Sequence, residues 1–183
     1  MEETSRTLPP SEFRGLLGHP RLIALFEYWS RIRVDRVMPE WRDIRPEEIA
    51  AILPYIWAWQ LDSVGEPRVR LVGENIASMI RVSTKGKSLF ELYPEDYATE
   101  LRAEFRDILD GPAGCHTMGK FRTEGVEGME GSTGERLALP YGKADGSARG
   151  IIGVSYYPKM EMIYRSPTKF SRLSGPRHFL PLG

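Results

Sequence analysis

The sequence predicts an α+β domain: a five-stranded antiparallel sheet with helices on one face, preceded by an amphipathic helix. Three observations carry this. Between residues 52 and 158 two strand-like runs come first, a helical block follows, and three more strand-like runs close the series. Glycine-rich stretches and an Asp145-Gly146 turn join the last three runs. No cluster of catalytic residue types accompanies them. A sheet with helices inserted after its second strand forms a small cup, and a cup without chemistry suits recognition better than turnover.

Residues 1–19 are polar and carry Pro9, Pro10, Gly15 and Gly18, so they read as a flexible arm. Pro20 suits the first turn of a helix. After it, Leu22, Leu25, Phe26, Trp29 and Ile32 recur at three- and four-residue spacing, which draws one apolar stripe along a helix. Pro39 stops it. A single amphipathic helix cannot bury its own stripe. Leu22, Phe26 and Trp29 are therefore expected to dock on the sheet or on the same helix of a second copy, in a homodimer.

Arg45-Pro46-Glu47-Glu48 opens a short helix, with proline in the first turn and carboxylates at the positive end of the dipole. Residues 55–61 form the first strand, with Tyr55, Trp57, Trp59 and Leu61 on one face. Val69, Leu71 and Gly73 mark the second. A short helix follows over 75–81. Ser88 and Glu91 have capping-box spacing. Pro94 starts a longer helix that buries Tyr97, Leu101, Phe105 and Ile108 and ends at Gly111-Pro112. Residues 115–123 alternate, with Cys115, Thr117 and Phe121 on one face and His116, Met118, Lys120 and Arg122 on the other. Residues 135–141 and 150–157 form the closing hairpin around Asp145-Gly146. Gly125, Gly128, Gly131 and Gly134 recur at every third place, which suits a flexible loop. Beyond Pro158 five basic residues (159, 165, 169, 172, 177) face one carboxylate, Glu161. Residues 159–183 are thus expected to be a basic, weakly ordered tail with a short helix near 160–164.

The chain has 183 residues, 41% of them hydrophobic, enough for one cored domain with extensions. Lys+Arg and Asp+Glu both number 25, so no global field draws it to nucleic acid or a membrane. One cysteine, Cys115, excludes a disulfide framework within the chain and fits a reducing compartment. There is no apolar leader segment and no run long enough to span a bilayer, so a cytoplasmic location is expected.

The motifs with chemical overtones weaken on inspection. Lys85-Gly86-Lys87-Ser88 resembles the end of a phosphate-binding loop, but Arg81 stands where that loop needs glycine. Cys115 and His116 are adjacent on a strand and point to opposite faces, so they cannot act as nucleophile and base. His19 and His178 lie near the two ends of the chain, which disfavours a metal site. The basic tail lacks aromatic interleaving and reads as solvated or partner-docking.

The order strand–strand–helices–strand–strand–strand resembles the PAS domain. The likeness is carried by Glu135-Arg136-Leu137-Ala138-Leu139-Pro140-Tyr141, by Asp145-Gly146 and by Gly150-Ile151-Ile152-Gly153-Val154-Ser155. Upstream, Phe26-Glu27-Tyr28-Trp29, Met38-Pro39, Leu53-Pro54 and Gly86-Lys87-Ser88-Leu89 are similar to a family of single-domain PAS-like proteins of alphaproteobacteria. The resemblance covers residues 20–158. It implies a sensory or protein-interaction role in bacterial signalling, with no catalysis and no cofactor. The flavin-binding cysteine run of some PAS domains is missing, and residues 94–110 hold no histidine for haem. It also implies a pocket, for which Trp57, Trp59, Met79, Phe90, Phe105, Cys115, Phe121, Arg136 and Ser155 are the candidates. An arginine inside the cup would favour an anionic ligand, because a buried guanidinium needs a partner. The simpler expectation is that Arg136 pairs with Glu135, Glu124 or another surface carboxylate.

The reading that follows is a cytoplasmic sensor or adaptor binding a small molecule or a partner protein. The alternatives are a cup enzyme of the isomerase or dehydratase kind, drawing on Tyr55, His116 and Asp62, and a ligand-free dimerisation module.

Overall fold

The structure, a computed structural model, describes residues 5–80, 83–123, 133–157 and 171–182. The helix near 160–164 and most of the glycine loop expected over 125–134 lie outside them; Thr133 and Gly134, at the end of that stretch, belong to a strand. The described chain forms one mixed sheet. Its strands are β1 (Ser5–Thr7), β2 (Ile56–Leu61), β3 (Pro67–Val72), β4 (Ala113–Thr123), β5 (Thr133–Gly142), β6 (Ala148–Tyr156), β7 (Ser171–Ser174) and β8 (Arg177–Pro181). The order across the sheet is β1-β8-β4-β5-β6-β2-β3, and β7 also pairs with β4. The five expected strands form its antiparallel heart, β4-β5-β6-β2-β3.

The sheet is longer than expected because both ends of the chain join it. β8 pairs antiparallel with β4, and β1 runs parallel to β8 with Ser5 opposite Arg177. The first residues are thus not a loose arm where they are described. After β1 comes helix α1 (Pro10–Leu16), whose Phe13 is fully buried. At the far end, Leu173 and Leu180 are buried as well.

Side-chain alternation sorts the strands into two cores. On the outer side, Ile56, Leu137, Leu139, Tyr141, Ile152 and Val154 pack against helix α2 (Pro20–Arg33). On the inner side, Trp57, Trp59, Cys115, Ala138 and Ile151 meet helix α5 (Glu95–Leu109). Short helices α3 (Glu74–Ile80) and α4 (Leu89–Leu92) lie between β3 and α5 in the chain. Ser88 and Glu91 form the expected capping box at α4. Gly146 turns the β5–β6 hairpin at φ 81°, in the left-handed region that favours glycine.

Helix α2 settles the choice posed by its stripe. Leu22 and Trp29 are 0% and 1% exposed within a single chain, and Phe26 is 8% exposed. Trp29 donates its Nε1–H to the Pro140 carbonyl across 2.8 Å. The stripe is spent on the chain's own sheet, so Leu22, Phe26 and Trp29 cannot also form a homodimer seam.

Two of the three histidines, expected to be scattered, meet at Glu135, and the third, His178, lies beside His116. His116 Nε2 lies 2.9 Å from one carboxylate oxygen of Glu135, so Nε2 is the protonated nitrogen. The backbone N–H groups of Gly18 and His19 donate to the same carboxylate at 2.8 and 2.9 Å. His19 stacks on Tyr156 at 3.9 Å between ring centres, and His178 lies 5.9 Å from the His116 ring. Glu135 therefore fixes the entry of α2 onto the sheet. Burial pushes its carboxyl up, but the His116 bond and the Gly18 and His19 N–H groups outweigh this and hold it below the ordinary range. Burial, reinforced by Arg21, pushes His19 down; burial, reinforced by His116, does the same to His178.

These shifts act in one direction. A depressed carboxylate stabilises the fold above its unfolded value, and that contribution is lost as pH falls through its folded value. A histidine held neutral penalises the fold once the unfolded chain takes up a proton, below about pH 6.5. Stability in urea titrations should thus decline from about pH 6.5 downwards. Glu135→Gln should weaken the neutral-pH fold, and its gap to the native chain should narrow in acid; a gap constant with pH would refute the clasp. Separately, Trp29→Ala should cost roughly 3–5 kcal/mol. Trp29→Phe, which keeps most of the packing but loses the bond to Pro140, should cost about 1–2 kcal/mol. An unchanged melting temperature in both variants would mean that α2 is not docked.

Candidate ligand cavity

The inner core is not completely filled. A cavity of about 80 Å³ lies between the sheet and α5. Trp57 and Trp59 of β2 and Phe105 of α5 form much of its wall. Phe105 lies parallel to Trp57 within 9°, with ring centres 6.5 Å apart, and meets Trp59 edge-on at 5.6 Å. Gly153 of β6 makes room for the indole of Trp57. A Cβ at that position would stand 2.2 Å from the ring. So placed, Trp57 donates its Nε1–H to Ser155 Oγ across 2.9 Å. A hydroxyl that accepts one bond still has a proton to donate.

Arg136 brings the charge. It projects from β5 into the cavity wall, 8% exposed. Its Nη2 donates to both carboxylate oxygens of Glu104 at 2.7 and 2.6 Å, and Glu104 is 1% exposed. Arg177 of β8 approaches the same carboxylate, with Nε 3.2 Å from Oε2. Neither sequence-based expectation is met. The partner of Arg136 is not a surface carboxylate, and the guanidinium does not await an anion, because α5 supplies one from within. Burial works against the charge on Arg136, but the Glu104 carboxylate outweighs it and the guanidinium stays firmly protonated.

The phenols on this side are kept neutral. Burial pushes Tyr97 up to about 12, and pushes Tyr93 higher still. The Cys115 thiol is likewise pushed up by burial, aided by the nearby Glu104 charge. A cysteine that is 1% exposed and held protonated is neither nucleophile nor metal ligand at neutral pH.

Five of the nine pocket candidates are brought to the cavity: Trp57, Trp59, Phe105, Arg136 and Ser155. Cys115 packs in the same core without lining the space. Phe90 lies outside, 44% exposed, with Arg102 over its ring at 5.9 Å. Its place on the short α4, one residue after the buried Leu89, turns it to solvent. Met79 is on α3 and Phe121 on β4; their side chains are outside the description. Sequence reasoning placed Tyr97 and Leu101 in the core without assigning them to the wall, and missed Tyr93, Val69 and above all Glu104. A signal for Glu104 existed. It stands at helical spacing from Tyr97, Leu101 and Ile108, on the face that α5 buries.

The three residues of the enzyme alternative, Tyr55, His116 and Asp62, do not meet. His116 faces the outer side with Glu135, opposite Cys115. Tyr55 lies under the Arg21 guanidinium at 3.4 Å. Asp62 closes the β2–β3 turn, accepting from the N–H groups of Val64 and Glu66. None of Tyr55, His116 or Asp62 lines the cavity. Among the described residues no three His, Cys, Asp or Glu are placed to hold a metal, and no helix is long and apolar enough to cross a membrane. The Ser88 turn forms a helix cap, as expected.

A family model described as the PAS domain matches residues 17–156. No curated protein matches the chain. Among solved structures, a sensory box sensor histidine kinase of Vibrio cholerae is 18% identical, with 61% of this chain and 87% of that one covered at a TM-score of 0.41. The PAS domain of BvgS from Bordetella pertussis is 17% identical, with 63% and 88% covered at 0.40. VqmA bound to DPO is 16% identical, with 62% and 57% covered at 0.42. VqmA is a Vibrio cholerae protein.

Removing one partner of the buried ion pair should be far worse than removing both. Arg136→Met, which leaves the buried Glu104 with only its 3.2 Å contact to Arg177 of the two guanidinium contacts, should cost roughly 3–5 kcal/mol. The double variant Arg136→Met with Glu104→Met should recover much of that loss. Additive losses in urea unfolding would show that the two groups do not depend on each other.

Proposed function

Because this chain belongs to the PAS domain family, we propose that it is a signal-sensing or adaptor domain that takes a small neutral molecule into its inner cavity. The observation that supports this best is the unfilled space itself, walled by Trp57, Trp59 and Phe105 and edged by Ser155 and Arg136. Its volume, about 80 Å³, is well below the roughly 300 Å³ at which sites for drug-sized ligands begin. The ligand is therefore small. Its neutrality follows from the match of Arg136 to Glu104: a second anion would compete with a carboxylate already held at 2.6–2.7 Å. Apolar walls and a hydroxyl proton at Ser155 suit a compact ring or alkyl group carrying one hydrogen-bond acceptor.

The readout would pass through α5. Glu104 joins the cavity-lining Arg136 to Arg177 of β8, and β8 carries β1. A ligand that favours one seating of α5 thereby biases the strands formed by the chain's two ends. Such a ligand must bind the two seatings with different affinity. Full inversion from 1:99 to 99:1 would require roughly 5.5 kcal/mol of difference. A partner protein then reads which arrangement is populated. The cytoplasm is the setting that fits the chain's one buried, free cysteine.

Native mass spectrometry of the purified chain tests this, together with melting curves against a set of small neutral aromatic compounds. The expected result is a retained adduct, or a melting shift with at least one compound, that is lost in the cavity-filling variant Ser155→Met. If the bare mass appears alone and no compound shifts the melting point, the domain works without a cavity ligand. Turnover abolished by one interior substitution would instead favour the enzyme reading.

A further inference from the structure

On the outer side of the sheet, away from the ligand cavity, a second cleft of about 290 Å³ opens between the loop after α2 and the β2–β3 edge. We propose that it is a binding site for a phosphate monoester. The lining holds Arg42, Arg70 and Arg149 against a single carboxylate, Glu40; three positive and one negative side chain leave a net charge of +2. A phosphate monoester carries about −1.5 to −2 at neutral pH, and guanidinium groups match its oxygens with paired donors.

The site is built before any ligand arrives. Glu40 and Asp43 close a capping box around the 3-10 turn Trp41–Asp43. Arg36 locks that turn by bonding Asp43 at 2.7 Å. Glu40 is occupied by Arg42 at 2.9 Å and lies 3.6 Å from Arg36, so the carboxylate is already matched. The turn is fastened to the end of β5, where Gly142 donates its N–H to the Pro39 carbonyl at 3.0 Å. Gly142 has to be glycine: a Cβ there would stand 2.3 Å from the Ser147 carbonyl oxygen and 2.6 Å from Met38 Sδ.

Trp41, pinned in this way against Tyr141, holds the guanidinium of Arg70 over its ring at 4.2 Å. Arg70 donates to Gln60, and its Nε is buried without a partner. Neither Arg70 nor Arg149 has a carboxylate in ion-pair reach among the described residues. Two arginines outside any close ion pair, Arg70 pre-oriented by stacking and Arg149 within electrostatic reach of Asp145 alone among the named carboxylates, converge on an open cleft. That arrangement selects a dianion over a carboxylate, which Glu40 already represents.

Isothermal titration of the full chain at low ionic strength tests the site, using inorganic phosphate, phenyl phosphate and a phosphoserine peptide. Saturable binding of at least one of them is expected. It should weaken about tenfold or more in Arg70→Gln and in Arg149→Gln, since each loses a charge-assisted bond. Arg31→Gln, which removes the same charge from an exposed residue paired with Glu48, should bind like the native chain. Arg149 is exposed, so its variant reports even if loss of the Arg70 stack unsettles the fold. Equal affinity for phosphate and peptide would mark a free small-molecule anion as the ligand, and a strong preference for the peptide a phosphorylated partner. No measurable binding of any probe at millimolar concentration would overturn the proposal, as would an equal loss in Arg31→Gln and Arg149→Gln. Ser155→Met should leave this binding intact, which separates its outcome from that of the inner cavity.

Discussion

Glu135 and Arg136 are neighbours on β5 and face opposite ways. The first receives His116 and the entry of α2 on the outer side; the second holds Glu104 of α5 on the inner side. A strand has a side-chain period of two, so a slip of one residue would exchange them. It would put a carboxylate among Trp57, Trp59 and Phe105, and a guanidinium where two backbone N–H groups seek an acceptor. From Gly134 to Gly142 every residue of β5 is buried, and no misplaced group could escape to water. The register of this one strand therefore fixes where both helical layers sit, and with them the cavity.

Burial on both faces also explains why the sheet extends to the chain's ends. β4 would otherwise be an exposed edge, with unpaired backbone groups beside His116 and Cys115. β7 and β8 cover it, and β1 covers β8 in turn. The outer core then closes over Phe13 and Leu180, contributed by opposite ends of the chain. Packing of α2 and closure of that edge reinforce one another, because Gly18 and His19 sit between α1 and α2 and are held by Glu135.

The heart of the fold was legible in the sequence because its signals are local. The stripe from Leu22 to Ile32, the Ser88–Glu91 box, Pro94 and Asp145-Gly146 each act over a few residues, and each acts as expected. The terminal strands were not legible. Ser5 pairs with Arg177 across nearly the whole chain, and neither Ser5–Thr7 nor Arg177–Pro181 carries an alternating apolar pattern. The aromatic wall could be anticipated from Trp57, Trp59 and Phe105. The fate of Arg136 was harder to read: the spacing puts Glu104 on the buried face of α5, but its residue type points to solvent, and the two signals conflict.

Glu104 is costly to bury, and its placement bears on what the cavity is for. Two hydrophobic residues in place of the Arg136–Glu104 pair would often be as stable or more so. What an apolar pair cannot do is set the rotation and height of α5 over the sheet, since dispersion contacts tolerate sliding and a carboxylate held at 2.6 Å does not. The pair holds Phe105, the next residue on α5, at a fixed separation from Trp57, and so keeps open a space that hydrophobic collapse would tend to close. The same carboxylate reaches Arg177, so the shape of the cavity and the seating of β8 are governed by one group. In the sensor proposed above, a prop shared between the interior and the outermost strands would couple occupancy of the cavity to the arrangement of the edge by contact alone.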